Sequence, residues 1–508
     1  MEAQKRGNSL SYLFFVFFCF FAQGVDLEAD TKTEAKVQTE MGFKSGEKQT
    51  EKKNSAAEVM TKTPLALVKN PAAKTQKNPA KNSPSLALDF DVQKKQSSNA
   101  FPTLLLIAGI QGDEPGGFNA ANIFLMHYEI KKGEVWVVPA INKHSILRNH
   151  RGIYDDMNRK FAALDKNDPE YPIIRHIKSL ITDPSVDAVL HLHDGSGFYR
   201  PTYIDPNKNP NRWGSCSIID QEVVTNAKFP ELGKITDHVI KHINAHLLSP
   251  EHRYYKRDTK TAKGDVEMEK ALTFFAIKNK KSAFANEASK NLSLEKRVYY
   301  HLLAIEGLLG QLGIEFRRDF ELTPQSLYHL INDTHLDVRI AKSITLPLYG
   351  LREELNYFPL PKQSISSIPL ESRAHILGLL QKDNQVLLKY GNKVMTKFSP
   401  EYLDFDDSLQ TLKIQVDGKT KEVKIGSIIP VKQNFEILDL PGYRANIIGF
   451  VSPKDRSDKP NEMGILISKK ECTPRFSIDK KGKIYRAEFY KGDAFSGMLL
   501  FRFQDRIN

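Results

Sequence analysis

Between residues 86 and 318, short apolar runs alternate with longer stretches in which apolar residues recur every three or four positions. The short runs predict buried strands and the longer stretches predict helices. Strands that alternate with helices are typical of an α/β domain, so we expect a mixed, largely parallel sheet with helices on both faces. The predicted strands are TLLLIAG, EVWVVPA and DAVLHLH, and the predicted helices are PGGFNAANIFLMHYEI, YPIIRHIKSLIT and SLEKRVYYHLLAIEGLLGQLG.

From residue 319 onward the pattern changes to short segments with partial alternation, separated by Gly, Pro, Asp-Gly and Lys-Gly steps. The pair Asp417-Gly418 lies between two alternating arms, which predicts a tight β-hairpin. We therefore expect an all-β region that consists of two small sandwich-like domains. Their predicted bounds are 319–402 for a central β domain and 403–508 for an Ig-like C-terminal domain.

The N-terminus has a different pattern from the rest of the chain. Lys5 and Arg6 precede an apolar stretch, residues 10–21, that is short for a membrane span and is followed by small residues near Gly24. This pattern predicts a cleaved secretory signal peptide over 1–24, with an uncleaved signal anchor as the alternative. After cleavage we expect no stable membrane span and a periplasmic location. Residues 25–85 are rich in Lys and poor in apolar residues, which predicts a disordered linker.

Composition narrows the classes of protein that the chain can represent. The formal net charge is +12 and the chain contains three cysteines. So few cysteines exclude both a disulfide framework and a Cys-rich zinc module. The positive charge suits a polyanionic substrate, but the predicted export and the lack of a zinc finger or RNP motif argue against nucleic acid.

Polar residues follow two of the predicted strands at the ends where ligands bind in parallel sheets. Gln111 and Glu114 lie in the loop after the first strand, just before a helix start at Pro115, and could direct two oxygen ligands at one point. His191 and His193 share one face of another strand. Because His193 lies at the strand end, we favour it as a metal ligand and expect His191 to be a hydrogen-bonded core residue.

Two further segments carry candidate chemistry. The segment NHRGIYDDMNRKF contains Arg151, Asn158 and Arg159, whose planar donor groups can bind a carboxylate or stabilise an oxyanion. Glu287 ends a short apolar run, where a carboxylate could accept a proton during metal-assisted hydrolysis.

The order of these pieces along 86–318 resembles that of the zinc carboxypeptidase family and its related deacylases. The resemblance implies zinc as the cofactor and implies that Gln111, Glu114 and His193 bind it. It also implies that Arg151 polarises the scissile carbonyl and that Glu287 is the general base. Asn158 and Arg159 would hold a free terminal carboxylate, as in an exopeptidase.

Gln111 departs from the family pattern, in which a histidine occupies this position. In this departure, in its signal peptide and in its trailing β domains, the chain is similar to the peptidoglycan DL-carboxypeptidases that determine helical cell shape in Gram-negative bacteria. The similarity implies removal of terminal meso-diaminopimelate from muramyl tripeptide, with peptidoglycan stem peptides and other cell-shape proteins as partners. The alternatives are a zinc-dependent deacylase of N-acyl amino acids and an inactive wall-binding scaffold. Tyr254 and Tyr255 match the family's substrate tyrosine poorly and are not assigned a role.

Overall fold

A computed structural model describes residues 88–98, 100–452 and 457–505. The predicted signal peptide, 1–24, and the predicted linker, 25–85, lie outside these residues. Among the described helices, none is both long enough and apolar enough to cross a membrane. The first region contains strands β1 Gln93–Gln96, β2 Thr103–Ala108, β3 Tyr128–Lys132, β4 Glu134–Val138, β5 Ala188–Gly195, β6 Phe198–Tyr199, β7 Lys208–Asn209, β8 Cys216–Ile219, β9 Tyr255–Asp258, β10 Ser282–Ser289 and β11 Glu315–Arg318.

Seven of these strands form one mixed sheet in the order β1-β4-β2-β5-β10-β8-β9. The four central strands, β4, β2, β5 and β10, run parallel to one another. Every residue of β2, β5 and β10 is buried, as expected for strands that are covered on both faces. The mixed sheet and its buried parallel centre confirm the predicted α/β class.

Helices connect and cover the strands of this sheet. Helix α3 buries Ile173, Ile174, Ile177 and Ile181, which is the spacing of a single apolar stripe. The long helix α6, Leu294–Leu312, is followed by Gly313, which adopts a left-handed conformation with φ 72°. The helices are α1 Pro115–His127, α2 Lys143–Arg148, α3 Tyr171–Thr182, α4 Leu232–Ala245, α5 Leu272–Lys278, α6 Leu294–Leu312 and α7 Pro324–Ile331.

Two predicted elements differ in the structure. The predicted helix PGGFNAANIFLMHYEI ends at His127, because Tyr128 is extended and begins strand β3, which pairs with β11. The region predicted to be all-β from 319 begins with helix α7. Its N-cap Thr323 accepts a hydrogen bond from Ser326, and its buried Leu327 belongs to the same apolar core as α6.

The remainder of the described chain is all-β, as predicted. The strands are β12 Asp337–Ile340, β13 Ile344–Pro347, β14 Glu354–Pro361, β15 Leu370–Glu371, β16 Leu377–Lys382, β17 Gln385–Tyr390, β18 Lys393–Leu403, β19 Thr411–Val416, β20 Lys419–Lys424, β21 Ile428–Val431, β22 Asn434–Ile437, β23 Arg444–Ile447, β24 Ile467–Ser468, β25 Ile484–Lys491 and β26 Ala494–Phe503. Asp417 and Gly418 form the predicted hairpin turn between β19 and β20, with φ 52° and 77° as a type I′ turn requires.

Two apolar cores organise this β region. The sheets β20-β19-β22-β24 and β21-β26-β25-β23 enclose the C-terminal core between them. Tyr485, Ala487 and Phe489 of β25 point into that core. Ile484 and Tyr490 of the same strand instead join the larger core that contains the α/β region and the middle β strands. Both faces of this strand are therefore buried in the folded chain.

Candidate active site

A cavity of about 290 Å³ lies at the carboxyl ends of the central parallel strands. Strand β5 lies between β2 and β10 in the sheet, and Glu287 is the direct register partner of His193. The structure brings all the residues that the sequence analysis singled out to the wall of this one cavity. They are Gln111, Glu114, Arg151, Asn158, Arg159, His193 and Glu287.

Small residues allow the loop after β2 to reach this position. A Cβ atom on Gly112 would lie 2.1 Å from the carbonyl carbon of Ser145, and one on Gly116 would lie 2.3 Å from Oδ1 of Asp194. Glycine is therefore required at both positions by close contact with neighbouring elements. The loop packs tightly between α2 and the end of β5, which directs Gln111 and Glu114 toward His193.

Three atoms with lone pairs converge inside the cavity. Nδ1 of His193 lies 2.8 Å from Oε1 of Gln111 and 2.9 Å from Oε2 of Glu114. All three residues are at most 5% exposed. Acceptor atoms this close repel one another in a buried place, so a proton or a metal ion has to lie among them. One imidazole nitrogen and two oxygens are a suitable ligand set for a divalent metal ion.

The other ring nitrogen of His193 is fixed by a buried chain of hydrogen bonds. Nε2 of His193 lies 2.7 Å from Nδ1 of His191, and Nε2 of His191 lies 2.6 Å from Oγ1 of Thr273. Burial lowers the pKa of His191 well below its usual range, so its ring is neutral. If each Nε2 donates along this chain, Nδ1 of His193 keeps its lone pair for a metal ion. His191 is thus a core residue that supports the site, as predicted.

Asp156 links several of the predicted residues, and its role was not predicted from the sequence. Its Oδ1 accepts from Nε2 of Gln111 at 2.8 Å, which turns the amide oxygen of Gln111 toward His193. Its Oδ2 accepts from Nη2 of Arg151 at 2.9 Å. Asp156 also caps the short 3-10 helix Met157–Arg159. An aspartate before such a turn is a recognisable cap signal, but its contact with Gln111 is not visible in the sequence.

Asp194 plays a comparable part behind the site and was also missed. Its carboxylate accepts from the backbone N–H of Gly116 at 2.8 Å and from Nη1 of Arg297 at 2.9 Å, and Nε2 of His301 lies 3.1 Å away. Its own backbone N–H donates to Oε2 of Glu114 at 3.2 Å. These contacts fix the N-terminus of α1 relative to the end of β5.

The opposite wall of the cavity offers donor groups to an anion. Oδ1 of Asn158 accepts from the backbone N–H of Leu272, and its Nδ2 has no partner among the described residues. Arg159 donates to the carbonyl of Asn158, and no carboxylate of the described chain lies within ion-pair distance of it. Arg151, by contrast, contacts Asp156 and Glu114. A free cation beside an amide N–H suits a carboxylate ligand.

Glu287 is buried, and its Oε2 has no hydrogen-bond partner in the described part of the chain. Burial and the neighbouring charge of Glu114 raise the pKa of Glu287 well above its usual range. A carboxyl group with a raised pKa and a free oxygen can take up and release a proton.

Some residues of the cavity were not predicted. Trp213, Met268 and Lys290 line it, whereas Tyr254 and Tyr255 do not. The described residues contain no group of three His, Cys, Asp or Glu side chains that could hold a metal ion, and at the candidate site the third ligand is the amide oxygen of Gln111.

Three family models match consecutive parts of the chain. The catalytic model of the carboxypeptidases controlling helical cell shape matches residues 88–332. The β-barrel domain of the same carboxypeptidases matches 333–404, and the C-terminal domain of metallo-carboxypeptidase matches 405–504. The chain belongs to this family. Members of the helical-cell-shape carboxypeptidase family are metalloenzymes, so the chain is a metallo-carboxypeptidase, and its predicted resemblance is confirmed.

Solved structures of a relative from Helicobacter pylori are similar over most of the chain. The apo cell shape determinant protein Csd4 is 56% identical, with a TM-score of 0.80, and the match covers 82% of this chain and 100% of that chain. The mDAP-bound form of Csd4, a D,L-carboxypeptidase, is 57% identical, with a TM-score of 0.79, over 81% of this chain and 100% of that chain. A variant of Csd4 with histidine in place of a glutamine and a tripeptide-bound form are also similar. No curated protein sequence matches the chain.

Proposed function

We propose that this member of the family is a zinc-dependent DL-carboxypeptidase that removes terminal meso-diaminopimelate from muramyl tripeptide and leaves a dipeptide. The observation that carries the proposal is the convergence of Gln111, Glu114 and His193 opposite the donor wall of Asn158 and Arg159. A metal site that faces a carboxylate site suits a peptide bond one residue from a free carboxyl terminus. The D,L-carboxypeptidase activity of the Helicobacter pylori relative supports the same substrate class.

Each predicted site residue has a place in this reaction. Gln111, Glu114 and His193 would hold the zinc ion, which would supply Lewis-acid chemistry at the scissile carbonyl. Arg151 donates hydrogen bonds to the carbonyl oxygen as it gains negative charge. Glu287 accepts a proton from the attacking water and passes it to the leaving amine, for which its raised pKa is suited.

The remaining residues position the substrate and the metal ligands. Asn158 and Arg159 hold the terminal carboxylate through forked donors. Asp156 keeps the amide oxygen of Gln111 turned inward and holds Arg151 in place. A substrate without a free terminal carboxylate loses these contacts, so the enzyme acts at chain ends.

The same proposal places the enzyme in the periplasm, where its substrate lies, with residues 1–24 as the export signal. By trimming stem peptides it remodels the cell wall and sets helical cell shape, together with other cell-shape proteins. The N-terminal sequence of the mature protein from a periplasmic fraction tests the export step. A mature chain that begins near residue 25 is expected, whereas an intact Met1 in the membrane fraction favours the uncleaved anchor.

The activity is tested with the purified full chain loaded with zinc. Mass spectrometry should detect free diaminopimelate after incubation with muramyl tripeptide, and a chelator should stop its release. Hydrolysis of N-acyl amino acids instead would support the deacylase alternative. Absence of both activities in a zinc-loaded, folded protein would leave the wall-binding scaffold.

A further inference from the structure

A second and larger cavity, of about 1090 Å³, lies between the middle and the C-terminal β regions. Its wall is formed by strands β14, β18, β23 and β25 and by the segment around Phe476. It shares no lining residue with the cavity at the strand ends of the α/β region. The chain therefore contains a second pocket that the carboxypeptidase chemistry does not use.

Strand β25 turns a polar face toward this cavity. Arg486, Glu488 and Tyr490 alternate with the residues that fill the C-terminal core, so they share the opposite face. Arg486 and Glu488 are both buried and form an ion pair at 2.9 Å. Tyr490 donates to Oε2 of Glu488 at 2.7 Å. A buried ion pair seldom stabilises a fold more than apolar residues of the same size, so stability alone does not explain these charges.

An exposed tyrosine with a left-handed backbone conformation lies at the mouth of the cavity. Tyr357 is 78% exposed and has φ 49°, a conformation that a residue with a side chain adopts at a cost. It lies in an irregularity of β14, where the pairing register with β18 shifts. Nη2 of Arg486 donates to the carbonyl groups of Asn356 and Tyr357 at 2.8 and 3.1 Å, which fixes the turn. Such bulges direct a side chain away from the regular sheet surface.

The exposed aromatic rings and the charged residues of the wall indicate which class of ligand this pocket suits. Phe476 is 45% exposed at the rim and adds a second ring to that of Tyr357. Among the described residues, the wall contains five Arg or Lys residues and five Asp or Glu residues, so the described part of the wall carries no formal net charge. Of these, Nε of Arg444 has no hydrogen-bond partner among the described residues, and Glu401 forms no ion pair there, which leaves a donor and an acceptor available. A neutral ligand rich in hydroxyl and amide groups can satisfy both and can pack its rings on the aromatic faces.

We propose that this cavity binds a neutral, N-acetylated glycan chain, which would hold the enzyme on the polymer that carries its substrate peptides. The choice of glycan rests on the proposed function, because muramyl stem peptides hang from such a chain. The cavity then supplies attachment to the polymer, and the site at the strand ends supplies hydrolysis.

The test uses the zinc-loaded full chain and the tetramer of N-acetylglucosamine as the probe, with binding followed by isothermal titration calorimetry. The wild type should bind the tetramer, and the double variant Tyr357→Ala/Phe476→Ala should bind it at least tenfold more weakly. Tyr328→Ala, which removes a 54% exposed tyrosine on α7, is the matched control and should bind as the wild type does. Because both changed residues are exposed, the thermal unfolding midpoint should be unchanged; if the double variant unfolds, exposed Glu401→Ala replaces it.

Activity separates this proposal from the proposed function. Hydrolysis of soluble muramyl tripeptide should be the same in the wild type and the double variant, whereas release of diaminopimelate from intact sacculi should fall in the variant. No binding of the tetramer by the folded wild type, or equal binding by the double variant, would overturn the glycan site. Binding of the tetramer without hydrolysis of muramyl tripeptide would overturn the proposed function and leave the glycan site standing.

Discussion

The two cavities described above both contain buried polar or charged side chains, but the two sets of side chains are compensated differently. At the strand ends of the α/β region, Gln111, Glu114 and His193 turn lone pairs toward one another, and a free oxygen of Glu287 faces the same space. In the β region, the buried carboxylate of Glu488 faces the guanidinium of Arg486. In the first cavity a proton or a metal ion has to lie among the converging atoms, whereas in the second the carboxylate already faces a cation.

The way in which the buried groups are compensated indicates which kind of ligand each pocket can accept. Converging acceptors are costly to bury unless a proton or a metal ion lies among them, and one imidazole nitrogen with two oxygens is a set that suits a metal ion. Paired charges impose no such demand and leave the pocket free for a neutral ligand. Buried charge is therefore present in both pockets, and the way in which it is compensated distinguishes the candidate metal site from the second cavity.

The largest expected effect comes from removing the free carboxylate of the first cavity. Glu287→Gln should lower turnover of muramyl tripeptide by about 10²- to 10⁴-fold, the range over which a general base contributes. Its zinc content should be unchanged, because Glu287 is not placed among the ligands. Its stability should also be kept, since the pKa of this buried carboxyl is raised and a neutral amide avoids that burial cost. Turnover and metal content are measured on the same preparation; full turnover would contradict the assignment.

The matching change in the second cavity should lower stability and leave turnover unchanged. Glu488→Gln leaves the buried charge of Arg486 without its carboxylate partner but keeps its hydrogen bonds to two backbone carbonyl groups, so the free energy of unfolding should fall by about 1–3 kcal/mol. Turnover of soluble muramyl tripeptide at a temperature below the transition should remain that of the wild type. Denaturant unfolding and initial rates together check both halves of the comparison. A variant that kept its stability would show that this ion pair is not desolvated as described.

A smaller effect, on zinc affinity, is expected from a change of Asp156 behind the predicted metal ligands. Asp156 accepts from both Gln111 and Arg151 through two oxygens, and asparagine has only one oxygen to offer. Asp156→Asn should therefore weaken zinc binding by about 10- to 100-fold, as changes behind metal ligands commonly do. Competition with a chromophoric chelator measures the affinity. Asp155→Asn, at the exposed neighbouring position, is the control, and equal affinities in the two variants would remove Asp156 from its positioning role.

A change in the donor wall of Asn158 and Arg159 should weaken substrate binding rather than slow the chemical step. Arg159→Lys replaces a planar fork with a point charge and should raise KM about tenfold, which corresponds to the loss of one charge-assisted hydrogen bond of about 1.5 kcal/mol. The effect should disappear for a substrate whose terminal carboxylate is amidated, which the wild type itself should hydrolyse poorly. An equal loss with both substrates would mean that Arg159 does not contact the carboxylate.

Much of the fold was visible in the sequence because burial on both faces leaves continuous apolar runs. The strands β2, β4 and β5 and the helix α3 follow directly from such patterns. The end of α1 was not visible, because the change to strand at Tyr128 depends on pairing with β11, which lies nearly 190 residues later. Helix α7 was missed although Thr323 and Pro324 are a helix-start signal, because its eight residues are too few to show a clear helical period.

The candidate site was predictable where its residues end strands, since strand ends meet at one edge of a parallel sheet. His193 and Glu287 are register partners for this reason. Asp156 and Asp194 were not predictable, because their roles depend on contacts with Gln111 and Gly116 across long stretches of chain. The second cavity was likewise invisible, because it exists only where two β regions face each other.

The smallest effect on activity is expected at the ligand that departs from the zinc carboxypeptidase pattern. Gln111→His exchanges a neutral amide oxygen for an imidazole, which is a stronger donor to zinc, so zinc should bind more tightly and the fold should be unchanged. Tighter donation makes the metal less electrophilic, so turnover should change without being lost. Chelator competition and initial rates on one preparation test this. Because Gln111 lies 2.8 Å from Nδ1 of His193, a variant that binds no zinc at all would mean that the metal does not lie between these two side chains.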